Sequence, residues 1–276
     1  MGVTTYVKVR RDGWASWRGM DPCHMAMTAL ISDVHGNLEA LEAVLREIRH
    51  QGVDEIWCLG DIVGYGPDPI ECADLIRKNC SLVLMGNHDW ALLNSPVGFN
   101  TLAAAMIYKT KEWMRITDDS TEQDKERWNF LSQLPLSAEV GDMLLVHASP
   151  RAELSEYILP SDVTHDPEKF AEIFSMVNRL CVVGHSHVPC CISENLELAG
   201  VRGESYEITL DSRKRIINIG SVGQPRDGDN RACFVTFNQE TVHYNRVPYN
   251  YRRTMEKINK LGEEYQMLGY RLGLGR

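Results

Sequence analysis

The sequence predicts a layered α/β fold: a mixed, largely parallel sheet with helices on its faces, and a second, mostly antiparallel sheet packed on it. Two observations carry that expectation. From about Met27 to Val183, short apolar strands alternate with segments of helical periodicity, the pattern of parallel strands joined by crossover helices. After Pro189 short strands follow one another, separated by turn-forming clusters such as Asp211-Ser212 and Asn238-Gln239.

The elements follow in order. Met27 to Ser32 is an apolar strand, and Asn37 is placed to cap a helix to about His50, with Leu38, Leu41, Val44, Leu45 and Ile48 on one face. Gly52 stops that helix, and Glu55 to Leu59 is a second strand. Asp68-Pro69-Ile70-Glu71 joins a capping residue, a proline at the first helical position and an acid, and opens a helix to about Lys78. Leu82 to Met85 is a third strand. Helices over Thr101 to Ile116 and Thr121 to Leu134, a strand at Met143 to Val146, a helix over Pro167 to Val177 and a strand at Leu180 to Val183 complete the first part. Tyr206 to Leu210, Arg215 to Ile219, Ala232 to Phe237 and Val242 to Val247 read as the later strands. A last helix, about Tyr251 to Leu268, lines up Met255, Ile258, Leu261, Tyr265 and Leu268 as one apolar stripe, more often core packing than a dimer seam.

The expected organisation is therefore a disordered extension over residues 1–24, one domain over 25–250, and an amphipathic C-terminal helix over 251–276 that packs on it. Residues 1–24 have no apolar core of the kind a signal peptide needs, and no run approaches the roughly 20 apolar residues of a membrane helix, so cytoplasm is the default location. A net charge of −9 argues against a stable nucleic-acid complex or an anionic membrane partner. A phosphorylated substrate would need positive charge from elsewhere, and bound cations are the obvious source. The eight cysteines form no CxxC pair, and several lie in apolar strands, which favours buried free thiols; the adjacent Cys190 and Cys191 have no evident role.

Polar ligand-type residues gather at the ends of the predicted strands: Asp33, His35 and Asn37 after the first, Asp61 after the second, and Asn87, His88 and Asp89 after the third. His147 follows a later strand, as do His185 and His187. Open α/β sheets bind ligands beyond the carboxyl ends of their strands, so five segments would converge on one crevice. A set of carboxylates, imidazoles and one amide, without cysteine, suits Mn, Fe or Zn in a reactive site better than structural zinc.

These segments, in this order, resemble the calcineurin-like metallophosphoesterase superfamily, from about Thr28 to Asp229. The stretches Gly60 to Pro69, His147 to Pro150 and Asn218 to Arg226 are similar to those of its small bacterial and archaeal members, with Ala148 where glycine is common. The resemblance implies a four-layer α/β/β/α sandwich and two divalent ions, manganese the first choice. One ion would take Asp33, His35, Asp61 and His187, the other Asp61, Asn87, His147 and His185, with Asp61 shared. It further implies a metal-bridging hydroxide as nucleophile, with His88 as general acid beside Asn87. Asn37, Asn87, His88 and Arg226 are the candidates for holding substrate phosphate; for Arg226 a salt bridge to Asp227 or Asp229 is an equal alternative. Protein serine/threonine phosphatases of the superfamily carry Asp-Arg-Gly after the shared aspartate. Here Gly64-Tyr65-Gly66 stands there, which disfavours phosphoproteins and favours a small phosphodiester, nucleotide or phosphomonoester. The alternatives are a phosphoprotein phosphatase, a non-catalytic interaction module on the same fold, and a serine hydrolase built on Ser32 or Ser186, which lack a GxSxG elbow. The oligomeric state is open, a homo-oligomer included.

Overall fold

The computed structural model describes residues 8–9, 27–53, 55–238 and 240–276. The extension expected over residues 1–24 lies outside these, apart from β1 (Lys8–Val9). The chain then runs through β2 (Thr28–Ile31), α1 (Leu38–His50), β3 (Glu55–Cys58), α2 (Pro69–Asn79), β4 (Leu82–Val83), α3 (Asn87–Leu93), α4 (Thr101–Trp113) and α5 (Glu122–Ser132). It continues through β5 (Ser137–Val140), β6 (Met143–Val146), α6 (Asp162–His165), α7 (Pro167–Ser175), β7 (Leu180–Val183), β8 (Cys190–Ser193) and β9 (Leu198–Gly200). It ends with β10 (Ser205–Thr209), β11 (Arg215–Asn218), β12 (Ala232–Phe237), β13 (Thr241–Val247), α8 (Tyr251–Asn259) and α9 (Gln266–Leu274).

Two mixed sheets face each other. One has the order β1-β5-β6-β7-β11-β8-β9, the other β10-β13-β12-β2-β3-β4. Strand alternation builds the layers. In β2 and β3, Ala29, Ile31, Ile56 and Cys58 face α1 and α2, whereas Leu30 and Trp57 point between the sheets. In β7, Leu180 and Val182 join that inter-sheet core while Cys181 and Val183 meet Phe170 and Ile173 of α7. The result is the expected α/β/β/α sandwich. Cys190 and Cys191 are explained by the same alternation, one thiol facing α7 and the other the inter-sheet core. The seven cysteines among the described residues are free.

The division into a parallel first half and an antiparallel second half does not hold. Each sheet takes strands from both halves: β12 pairs antiparallel with β2, and β11 pairs parallel with β7. The free edges of β2 and β7 are covered by later strands rather than exposed as pairing templates. The single last helix is also corrected. Gly262, at φ +146° and ψ +160°, holds a backbone conformation open essentially to glycine alone, and the chain turns there. A helical hairpin results. Its Ile258, Tyr265, Leu268 and Leu272 bury against Ala103 and Met106 of α4 and against Tyr65, so the stripe is core. Asp68 precedes Pro69 as expected but makes no cap; its carboxylate accepts from Lys257 of α8 at 2.8 Å. Among the described residues, no helix is long and apolar enough to cross a membrane.

Candidate metal centre and active site

The strand ends of both sheets meet at one place. Asp33 and His35 follow β2, Asp61 follows β3 and Asn87 opens α3 after β4, all on the six-stranded sheet. His147 follows β6 and His185 and His187 follow β7, on the seven-stranded sheet. Backbone bonds lace the loops together: Asp33 N–H donates to Gly60 O (3.0 Å), His35 N–H to Asp61 O (2.8 Å) and Gly184 N–H to His147 O (2.9 Å). Asp33, His35, Asp61, His185 and His187 all sit at φ between +50° and +60°, a region L-residues seldom enter. Among the described residues only Leu196 shares that conformation without being glycine. Strain concentrated on these five residues aims their side chains at a common centre.

Two groups of ligand atoms result, Asp33, His35, Asp61 and His187 in one and Asp61, His147 and His185 in the other, and either could hold a metal ion. The imidazole hydrogens define the chemistry. His35 Nδ1 donates to Val63 O (3.2 Å), His147 Nδ1 to Leu59 O (2.9 Å) and His187 Nδ1 to Gln224 O (2.5 Å). A carbonyl only accepts, so each Nδ1 carries the hydrogen, and each ring, once its Nε2 is deprotonated, turns a lone pair inward. Yet His35 Nε2 and His187 Nε2 lie 3.0 Å apart, and Asp33 Oδ1 is 3.2 Å from the latter. Lone pairs and carboxylate oxygens packed this closely in a dry site repel one another unless a proton or a metal ion lies among them. Asp61 Oδ2 stands between the groups, 3.5 Å from His35 Nε2 and 3.4 Å from His147 Nε2. Asn87 Oδ1 lies 3.1 Å from His147 Nε2, and so belongs to the second group.

The electrostatics agree. Burial alone would raise Asp33 and Asp61, but surrounding imidazoles, His187 for the first and His147 for the second, hold both well below the usual carboxylate range. Burial works against charge on His147, but Asp61 outweighs it and lifts the ring to about 9. Burial brings His185 down to about 3, with His147 adding to the effect. The donor set thus draws in positive charge and fits divalent ions.

His88 is packed rather than hydrogen-bonded. Its ring centroid lies 4.7 Å from those of His35 and Tyr65 and 4.9 Å from that of Phe99, and its buried Nδ1 has no partner among the described residues. Its backbone N–H donates to Asp61 Oδ1 at 2.8 Å, fixing it beside the shared carboxylate. Burial lowers the ring to about 4 against the pull of Asp61. Arg226 lies over Tyr65, its Cζ 5.6 Å from the ring centroid, and donates to Gln224 Oε1. The alternative salt bridges are taken by others, Asp227 by Arg246 and Asp229 by Arg231.

Asn37 departs from expectation. Its Oδ1 accepts from Ala40 N–H and Thr254 Oγ1, its Nδ2 donates to Gly223 O and Tyr249 Oη, and its own N–H donates to Val34 O. With every polar atom engaged, it serves the fold rather than a phosphate. Among the described residues neither candidate serine meets a histidine: Ser32 Oγ is buried without a partner there, and Ser186 Oγ accepts from Asn218 Nδ2. Sequence reasoning missed several supports. Asp89, named with the strand-end residues, instead accepts from the backbone of Ile62, Val63 and Gly86. Asn218 Nδ2 holds Gly184 O, and Ser221 Oγ donates to Asp33 O. The signal for the last two was their place in the Asn218 to Arg226 stretch. Tyr65, which packs on His35 and His88, had the same kind of signal in the Gly60 to Pro69 stretch; Phe99 and Tyr157, which pack on His88 and His185, carried none.

The profile of the calcineurin-like phosphoesterase superfamily domain matches residues 27–241. An uncharacterized protein of Methanocaldococcus jannaschii is 40% identical over 91% of this chain and 99% of its own length. A symmetrical bis(5'-nucleosyl)-tetraphosphatase of Erwinia tasmaniensis is 31% identical over 44% of this chain and 43% of its own, so that match spans under half of either protein. The crystal structure of a metallophosphoesterase from Sphaerobacter thermophilus superposes with a TM-score of 0.76 at 36% identity, covering 91% of this chain and all of that one. Strand-end ligands, layered sheets and matched profile converge: the chain belongs to the calcineurin-like phosphoesterase superfamily, hydrolases that act on phosphoric ester bonds.

Proposed function

We propose that this hydrolase depends on two divalent ions and cleaves a small phosphodiester, phosphomonoester or nucleotide. The observation that carries the reading is the pair of Nε2 lone pairs of His35 and His187, 3.0 Å apart beside Asp33 and Asp61. One ion would be held by Asp33, His35, Asp61 and His187, the other by Asp61, Asn87, His147 and His185. Bound there, divalent ions would acidify water and neutralise charge on the phosphoryl oxygens. His88 supplies the proton to the leaving oxygen. With Nδ1 turned to Gly64, its Nε2 is the nitrogen left for substrate. An arriving phosphate favours the protonated ring, offsetting the burial that otherwise keeps it neutral. Arg226, free of an acidic partner among the described residues and close enough to act on His187 and His88, supplies a cation for the phosphate. The tetraphosphatases among the relatives support a nucleotide-type substrate.

The test uses protein stripped of metal and reloaded in turn with Mn²⁺, Fe²⁺, Zn²⁺ and Ni²⁺, assayed on an aryl phosphodiester and an aryl phosphomonoester. Turnover with at least one ion is expected, and absence of turnover with all four on both esters refutes the reading. His88→Ala should keep its metal and lose about 10²- to 10⁴-fold in turnover on substrates with a poor leaving group.

A further inference from the structure

Beside the candidate centre lies a cavity of about 570 Å³. Asn87, His88 and His185 form its polar floor, and Trp90, Phe99 and Tyr157 stand in its walls. Trp90 and Tyr157 are 39% and 46% exposed, and Val97 at the same mouth is 83% exposed. Large apolar side chains left open to water around a single recess mark a surface built to be covered. Among the described residues that line it there is no Lys, Arg, Asp or Glu. The recess therefore offers no lysine or arginine to a second phosphate and broad aromatic walls to an uncharged, planar group. Phe99 meets the His88 ring edge-on at 4.9 Å, and Tyr157 overlies His185 at 4.1 Å, so the aromatic walls continue directly from the imidazoles.

We infer that this cavity receives the alcohol half of the substrate and selects an alcohol that carries a planar aromatic group, a nucleoside or an aryl alcohol. The inference rests on the phosphoesterase reading and deepens it. In the hydrolysis, the oxygen of water bonds to phosphorus and the ester P–O bond breaks. His88 gives its proton to the departing alkoxide and regains one from the water. The alcohol is thus released on the side of His88, which is the floor of this cavity. A base stacked against Trp90 gains the attraction that aromatic platforms give to every nucleobase, whereas Tyr157 already stacks on His185.

Adenosine 5'-phosphate and ribose 5-phosphate share a primary alkoxide leaving group and differ in the base. The metal-loaded enzyme should prefer the first by about tenfold or more in kcat/KM, as one stacked base predicts. Benzyl phosphate is the arm that separates sources: a rate near that of the nucleotide assigns the cavity to arenes in general, a rate near that of ribose 5-phosphate to nucleosides. Trp90→Ala, and Val97→Asp at the mouth, should erase the preference while leaving ribose 5-phosphate turnover within about twofold. Calorimetric titration with adenosine reads the cavity without catalysis, and its Kd should rise about tenfold in Trp90→Ala. If no ester is turned over but adenosine binds in this Trp90-dependent way, the phosphoesterase reading fails and the cavity assignment stands. Equal kcat/KM for the two phosphates, a preference unchanged in both variants, or no saturable adenosine binding overturns the assignment.

Discussion

At the scale of the residue, the site combines candidate ligands that the sequence displays with contacts that it conceals. That Asp33, His35, Asp61, Asn87, His147, His185 and His187 come together was legible because each follows an apolar strand, and strand ends of one sheet share one edge. The left-handed backbone of five of them was not legible, because Asp and His carry no signature of that conformation and the surrounding loops impose it. Gly64 shows what such packing demands. At φ +139°, a Cβ there would stand 2.6 Å from His88 Nδ1 and 2.7 Å from His35 Nδ1. Gly64→Ala must displace both rings, and a shift of that size costs about 10²-fold in turnover. Steady-state kinetics together with an unchanged far-ultraviolet circular dichroism spectrum checks this; wild-type kcat would show that the rings have room to spare. Asp61 is the sharper case, since both ligand groups depend on its carboxylate. Asp61→Asn keeps the shape and removes the charge that lifts His147 to about 9. Its metal content, measured by mass spectrometry, is expected to fall below that of the wild type, and turnover with it. A full complement of ions at the wild-type rate would remove the basis for a shared carboxylate.

At the scale of the element, most helices and apolar strands were legible, whereas β5, β8, β9, α3 and α6 were not. β8 and α3 are four and seven residues long, and α3 begins inside the Gly86 to Asp89 motif, where ligand residues mask any helical pattern. The C-terminal hairpin was misread because Met255 to Leu268 keeps helical spacing across Gly262, and spacing alone does not reveal a turn. The hairpin is tied down by charge as well as by its apolar face. Lys257 Nζ reaches Glu39 of α1 at 2.7 Å and Asp68 at 2.8 Å. Burial alone would raise Glu39, but hydrogen bonds from Lys257 and Thr254 outweigh it and hold the carboxyl below its ordinary 4.5. A folded value below the unfolded one stabilises in full above about pH 4.5, and the gain is lost as pH falls through the folded value. Asp68 has the opposite sign: burial raises it above 3.8 despite Lys257, so it weakens the fold as pH climbs past that point. Glu39→Gln should therefore cost about 1 kcal/mol at neutral pH, with the difference from wild type closing as pH drops below 4.5. Denaturant titrations at a series of pH values measure it; a gap that stays constant into acid would show that the charge of Glu39 plays no part.

At the scale of the whole molecule, the candidate centre is a joint between the two sheets. Each ligand group draws from both: His187 of the seven-stranded sheet joins Asp33, His35 and Asp61 of the other, and Asp61 crosses in turn to His147 and His185. Away from the centre, the sheets are held by the apolar layer of Leu30, Trp57, Leu145, Val182, Ile217 and their neighbours, which has no need of ions. At the strand ends that layer gives way to buried carboxylates and imidazoles, whose desolvation opposes folding unless cations compensate. Ions that bind the folded chain alone add stability by mass action, about 2.7 kcal/mol when free metal stands at 100 times its dissociation constant. For a chain of this size that corresponds to roughly 5–10 °C in Tm. Dialysis against a chelator should lower Tm by about that amount, and reloading should restore it. The inter-sheet core should keep its slow hydrogen exchange, while the loops after β2, β3, β6 and β7 lose protection. Sheets pinned at their ends respond this way, and sheets held by apolar packing alone do not. An unchanged Tm in protein shown by elemental analysis to have lost its metal would mean that the ions, whatever their part in hydrolysis, bear none of the load between the layers.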